Sequence, residues 1–124
     1  MKNKIERQDY NVIYNSNYIT INDKRIDKTI SLEEINTMIH DVEKNNKSNK
    51  KKLIVTTGEN TLLTTKARER IMDLADNESY KFGIVIHDLS QRLIGNFVIH
   101  HLRNKKSIKI FTNEKKAINW ISNN

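Results

Sequence analysis

The sequence predicts a single α/β domain in which helices pack on a mixed, mostly parallel β-sheet. Short runs rich in Ile, Val and aromatic residues alternate with segments whose apolar residues recur every three or four positions. Strands that alternate with helices of this kind are joined by right-handed crossovers and form parallel pairs. The length of 124 residues allows one core and is too short for two.

The N-terminal part predicts an antiparallel hairpin that leads into the alternating elements. Residues 10–14 and 18–21 are β-branched and aromatic runs, and the Asn-Ser-Asn between them suits a tight turn because Asn tolerates left-handed backbone. We assign residues 1–9 as a flexible N-terminus and residues 10–124 as the domain.

The first helix and the first buried strand have clear local signals. Ser31 and Glu34 form a capping box, in which each side chain can bond the other residue's backbone amide. Residues 52–57 are a short, nearly continuous apolar run that ends at Gly58, a pattern typical of a central strand covered on both faces. The helix that follows this strand is predicted to begin after Thr64, a suitable N-cap.

The C-terminal half repeats the alternation, which gives the order ββαβαβαβα. Residues 82–86 and 108–111 predict two more buried strands. Asp88 or Ser90 can cap the third helix, and Thr112 the last. One face of the third helix is predicted to carry Leu89, Leu93, Phe97 and His101. The aromatic residues Phe97, Phe111 and Trp120 are expected in the core.

The composition excludes several kinds of functional site and makes nucleic-acid binding less favoured. Without cysteine there is no disulfide, thiolate metal site or cysteine nucleophile. No apolar stretch could span a bilayer and no signal peptide is recognisable, so we expect a soluble, cytoplasmic protein. The net charge of +7 raises nucleic acid as a partner, but most of the basic residues are lysines in an Asn- and Ile-rich chain. Nucleic-acid binding is therefore a minor alternative.

The chain resembles the STAS-like domains related to the sporulation anti-sigma-factor antagonist, the SpoIIAA-like fold, and in particular small single-domain bacterial versions of unknown function. The likeness spans roughly residues 10–122. It rests on LIVTTG from Leu53 with TTKAR from Thr64, on GIVIH from Gly83 with RLIGNF from Arg92, and on KIFTNEKKAINWI from Lys109. The resemblance implies a regulatory or scaffold module that binds a regulator or kinase-like protein through the second helix and its preceding loop, with a homodimer also possible.

In the antagonists that this chain resembles, a Ser or Thr at the start of the second helix is phosphorylated by the partner kinase. Thr64 and Thr65 lie near that position, but the acidic residue usual beside the acceptor is absent. Capping is the simpler role for Thr64. A phosphorylated threonine therefore stays an open alternative, with Thr57 and Thr61 as competing acceptors.

Several polar residues are expected near the carboxyl ends of the strands, where open α/β sheets place their ligands. Arg68 opposes the dipole of its helix, which an anionic partner or a salt bridge would explain. Arg92 and Asn96 share a helical face and could bind an anion together, although a loop clamp is the favoured interpretation. The full candidate partner or anion site is Thr57, Thr61, Thr64, Arg68, His87, Arg92 and Asn96.

Catalysis is not predicted. His100 and His101 are adjacent and point about a hundred degrees apart on a helix, so they cannot share one metal ion. No nucleophile and base at a recognisable spacing and no Gly-x-Gly phosphate loop is present, so no cofactor or metal is expected. The alternatives to protein docking are a small anionic ligand or lipid head group at Arg92 and Asn96 and, less favoured, nucleic acid.

Overall fold

Within residues 3–123, six strands form one mixed sheet, and four α-helices cover its two faces. The structure is a computed structural model that describes residues 3–123. The strands are β1 (Lys4–Glu6), β2 (Tyr10–Tyr14), β3 (Ile19–Asp23), β4 (Thr29–Ile30), β5 (Lys52–Thr56), β6 (Leu62–Leu63), β7 (Lys81–Val85) and β8 (Ile108–Phe111). The helices are α1 (Leu32–Lys44), α2 (Thr65–Asn77), α3 (Leu89–His100) and α4 (Glu114–Ser122).

The strand order in the large sheet is β1-β2-β3-β5-β7-β8. The pairs β1–β2 and β2–β3 are antiparallel, and the other three pairs are parallel. Strands β4 and β6 form a separate parallel pair of two residues each. The predicted hairpin followed by crossover connections is therefore confirmed, and the fold class is the one that the sequence predicts.

Residues 4–9 differ from the predicted flexible segment, of which residues 1 and 2 lie outside the described part of the chain. β1 pairs with β2 in a register that places Ile5 opposite Val12, and it covers what would otherwise be the open edge of the hairpin. Beyond β1, Arg7 binds Asp41 on α1 through two hydrogen bonds of 2.9 Å. The folded domain thus begins before residue 10. A three-residue strand with charged ends has no alternation long enough to predict it.

The two faces of the sheet bury different side chains because strand residues alternate in direction. Leu53 faces α1, α2 and α3 in the larger core cluster, whereas its neighbour Ile54 packs with Ala117 and Ile121 of α4. Strands β5 and β7 are therefore covered on both sides, which explains their continuous apolar sequences.

The face of α3 that carries Leu89, Leu93 and Phe97 does not pack into the core. Gln91 and Val98 are buried, whereas Leu89, Leu93 and Phe97 are exposed. The helix carries apolar residues on two sides, so periodicity alone could not decide which side packs inward. The prediction that Phe97 lies in the core is wrong. A smaller difference is that Asn113, not Thr112, caps α4 by accepting a bond from the amide of Lys116 at 3.1 Å.

Candidate functional site

Most of the predicted site residues lie where β5 and β7 end and where α2 and α3 begin, whereas Asn96 lies in the second half of α3. Thr57 directly follows β5, and His87 lies between β7 and α3. Thr64 is the N-cap of α2, as predicted, and accepts a 3.1 Å hydrogen bond from the amide of Ala67. Asp88 caps α3 in the same way through the amide of Gln91 at 2.9 Å.

Gln91, which was not among the predicted residues, holds the loops of this region together. Its Nε2 donates to the carbonyl oxygens of Gly58 at 2.8 Å and Thr61 at 3.0 Å. Its Oε1 accepts from the backbone amide of His87 at 2.7 Å and from the hydroxyl of Thr57 at 3.3 Å. One buried amide thus bridges the loop after β5 and the loop after β7. A Gln inside a helix carries no sequence signal for this role.

The three candidate threonines use their hydroxyls within the fold. Thr57 Oγ1 donates to the carbonyl of Val85 at 3.1 Å, and Thr61 Oγ1 donates to that of Arg25 at 2.6 Å. Thr61 is also buried, whereas Thr57 and Thr64 are partly buried. Each hydroxyl therefore stabilises backbone geometry. Thr65, one residue after the N-cap, is the more exposed hydroxyl at the start of α2.

Arg68 lies at the junction of α2 and α3. Its Nη1 donates to the carbonyl of Leu63 at 3.0 Å and its Nη2 donates to Thr65 Oγ1 at 3.1 Å. The guanidinium carbon stands 6.0 Å from the centroid of the Phe97 ring, within the range of a cation–π contact. Within residues 3–123, no carboxylate forms a salt bridge with Arg68. The positive charge is fixed in position and is not neutralised by an ion pair.

Arg92 and Asn96 are both exposed on α3, and neither side chain hydrogen-bonds a loop within residues 3–123. The clamp that was expected of them is instead made by their buried neighbour Gln91. His87 is exposed, and it contacts Gln91 through its backbone amide and not through its ring. Anion binding by Arg92 and Asn96 stays a prediction.

An apolar stripe runs along the solvent side of α3 beside these cations. Of the residues that the structure describes, four large hydrophobic side chains are prominently exposed, namely Leu89 (68%), Leu93 (61%), Phe97 (53%) and, away from this helix, Ile26 (57%). The first three are spaced by four residues, so they lie on one face of the helix. We call Leu89, Leu93 and Phe97 the α3 stripe.

A separate buried carboxylate lies on the other side of the domain. Asp41 accepts two hydrogen bonds from the Arg7 guanidinium, which lower the pKa of its carboxyl below the ordinary value. The hydroxyl of Tyr10 also donates to Asp41 at 2.5 Å. Burial, followed by the neighbouring Asp41, raises the pKa of Tyr10 to about 12. The group ties the N-terminal strands to α1 and is a structural ion pair.

The part of the chain that the structure describes contains neither a cluster of metal-binding side chains nor a membrane-spanning helix. Across residues 3–123, no group of three or more His, Asp or Glu side chains is placed to hold a metal ion. No helix in that part of the chain is long and apolar enough to cross a membrane.

Comparison with solved structures identifies the fold. An uncharacterized protein of the DUF3478 family from Shewanella loihica PV-4, which has a SpoIIAA-like fold, superposes with a TM-score of 0.58 at 14% identity. The alignment covers 95% of this chain and 89% of that one, so the SpoIIAA-like fold is confirmed. No curated protein matches the chain. A family profile described as a domain of unknown function, DUF7793, matches residues 13–124. The chain therefore belongs to the DUF7793 family.

Proposed function

We propose that this domain is a non-enzymatic docking module that binds a partner protein through the α3 stripe and the adjacent N-terminus of α2. The observation that carries the proposal is the exposure of Leu89, Leu93 and Phe97 on one helix face. The resemblance to anti-sigma-factor antagonists favours the start of α2 as the docking point, and the stripe extends that surface onto α3.

The energetics favour an occupied stripe. Complete burial of one Leu or Phe side chain contributes about 1.5–3 kcal/mol. Large apolar side chains that are grouped on one face, rather than scattered, are typical of interaction surfaces. Aromatic anchors such as Phe97 are enriched among the residues that contribute most to interfaces.

The charges beside the stripe indicate an acidic partner. α3 contains no Asp or Glu within Leu89–His100, and it carries Arg92 on its exposed side. Arg68, on the neighbouring helix, contacts the Phe97 ring without forming a salt bridge within residues 3–123. A segment that presents apolar side chains flanked by carboxylates would complement both features.

The hydrogen bonding near the strand ends supports binding rather than catalysis. The hydroxyls of Thr57, Thr61 and Thr64 bond backbone groups, and Thr57 in addition bonds Gln91. None of these contacts supplies the general base that a hydroxyl nucleophile needs.

The test is affinity capture from a lysate of the native host with matched variants. Wild type, Phe97→Ser and Ile26→Ser would be immobilised at equal density, because Ile26 is an equally exposed apolar residue away from α3. We expect one protein that wild type and Ile26→Ser retain, that Phe97→Ser loses, and that added salt weakens. The captured protein would then be purified, and its affinity for wild type and for the two variants would be measured by direct titration.

Other outcomes would overturn the proposal. Identical proteins retained by all three samples would show that the stripe does not select a partner. A dimer that forms with rising concentration in wild type and not in Phe97→Ser would assign the stripe to a second copy of the chain. If anionic vesicles bound wild type but not Phe97→Ser, and no protein were captured, the α3 stripe would be assigned to a membrane surface.

A further inference from the structure

An apolar cavity lies between the sheet and the three helices on its larger core side. Its volume is about 110 Å³. The sheet supplies Ile84 and Ile110, and the helices supply Ile71, Ile94 and Val98. Natural cores leave few voids larger than a water molecule, so a space of this size within the packed face is unusual.

The cavity is unsuited to water. The polar side chains at its margin include Gln91, Thr57, Thr61 and Asp23. All four are already engaged: Thr57 bonds Gln91 in the loop clamp, the Thr61 hydroxyl donates to the carbonyl of Arg25, and Asp23 binds Arg25 at 2.9 Å. Throughout residues 3–123, no buried side-chain nitrogen or oxygen lacks a hydrogen-bond partner. A bound water needs two to four polar partners, so an apolar occupant is favoured.

A groove on the surface adjoins the cavity. The groove measures about 230 Å³ and is lined by Arg68, Leu93, Ile94 and Phe97. Ile94 also lines the cavity, and it is half-buried. Ile94 is therefore common to the apolar interior and to a groove that contains the Arg68 guanidinium.

We propose that the cavity and the groove together bind an alkyl carboxylate. The alkyl chain passes Ile94 into the cavity, and the carboxylate pairs with Arg68 in the groove. An Arg guanidinium binds carboxylates well because its planar N–H groups match the two oxygens. Each methylene that leaves water contributes about 0.8 kcal/mol, so chain length controls affinity. The groove shares Arg68, Leu93 and Phe97 with the proposed docking surface, but ligand binding requires no second protein and is therefore tested on the purified chain alone.

The first experiment locates the ligand by NMR. Purified protein with labelled isoleucine methyl groups would be titrated with sodium octanoate. We expect the methyl signals of Ile84, Ile94 and Ile110 to shift, while those of Ile54 and Ile121, on the opposite face of the sheet, stay unchanged. Shifts absent from the cavity isoleucines at the highest octanoate concentration would overturn the proposal.

Variants then separate the two parts of the site. Arg68→Gln is expected to weaken octanoate about tenfold and to leave 1-octanol unaffected, because only the carboxylate needs the cation. Lys66→Gln is the matched control, since it removes an exposed charge from the same helical turn and does not line the groove. Equal loss with both variants would show general charge attraction and would contradict a site at Arg68.

Larger side chains in the cavity wall test whether the alkyl chain binds inside the cavity. Val55→Leu with Val98→Leu adds a methylene from each of two walls and is expected to weaken octanoate and 1-octanol alike, by about tenfold. Val85→Leu makes the same type of change on the α4 face and should leave binding unchanged. Unchanged affinity in the folded double variant would place the alkyl chain outside the cavity. The methyl shifts of wild type decide the question even if that variant fails to fold.

Discussion

The side-chain amide of Gln91 donates a 3.0 Å hydrogen bond to the carbonyl oxygen of Thr61, thirty residues earlier in the chain. The same Nε2 reaches Gly58, and Oε1 accepts from His87 and Thr57. If the Gln91 side chain were removed, its four partners would lose these hydrogen bonds. Because the site is buried, they would not gain hydrogen bonds to water in return. The start of α3 and the loop after β5 are therefore stabilised as one unit.

Replacement of Gln91 should destabilise the domain strongly. We expect Gln91→Ala to lower the free energy of unfolding by about 3 kcal/mol, because buried backbone groups are left unpaired. Urea unfolding followed by circular dichroism measures the change. Asn96→Ala, on the exposed side of the same helix, should change it by less than about 0.5 kcal/mol. Similar losses from the two variants would contradict the clamp.

Gly58 should not tolerate a side chain. A Cβ atom there would lie 1.8 Å from the carbonyl oxygen of Arg25, which is backbone and is itself bonded to Thr61. We expect Gly58→Ala to cost at least about 3 kcal/mol of unfolding free energy.

Gly95 provides the comparison for Gly58. Its added Cβ would lie 2.3 Å from Cδ1 of Ile110, the flexible end of a side chain that borders the cavity. Because Ala favours a helix over Gly by about 1 kcal/mol, the net change for Gly95→Ala should stay within about 1 kcal/mol. A larger loss of unfolding free energy at Gly95 than at Gly58 would contradict the packing around these two glycines.

Acid should destabilise the domain through Asp41. The Arg7 hydrogen bonds depress the folded-state pKa of this carboxyl below its unfolded value, which is near 3.9. A depressed pKa gives stability that is present above the unfolded pKa and is lost as pH falls through the folded pKa. The free energy of unfolding, measured in urea, should therefore decrease as the pH is lowered from about 5 to about 2.

Two arginine variants test whether the Asp41 carboxyl controls this pH dependence. Arg7→Gln should make the decrease shallower, because the carboxyl pKa then lies closer to its unfolded value. Arg92→Gln removes an exposed arginine for which no ion pair occurs within residues 3–123, so it should leave the slope unchanged. Parallel slopes for wild type and Arg7→Gln would show that other carboxyls control the acid transition.

The aromatic residues predicted to form the core should now separate into two groups. Trp120 is half-buried with its ring 5.8 Å from that of Phe111, so Trp120→Ala should cost about 3 kcal/mol. Phe97 is 53% exposed, so Phe97→Ala should cost less than about 1 kcal/mol. Thermal unfolding of both variants checks the order, and a reversed order would mean that α3 packs with its other face inward.

The sequence alone determined the elements whose signals are local. The capping box of Ser31 and Glu34 and the N-cap of Thr64 lie within one helical turn, and the structure has both. The apolar run that became β5 also predicted its central position, because a strand covered on both faces has no polar alternation. These features, together with the alternation of strands and helices, were sufficient to predict the fold class.

Only the tertiary structure decided the features that depend on contacts distant in sequence. The pairing of β1 with β2 and the two-residue strands β4 and β6 involve segments too short to carry a periodic pattern. The clamp of Gln91 joins residues about thirty positions apart, and the cavity exists only where three helices meet the sheet. Because α3 has apolar residues on two faces, its choice of buried face depends on what the neighbouring strands and loops offer. That choice places Gln91 inside and leaves Leu89, Leu93 and Phe97 exposed on the surface.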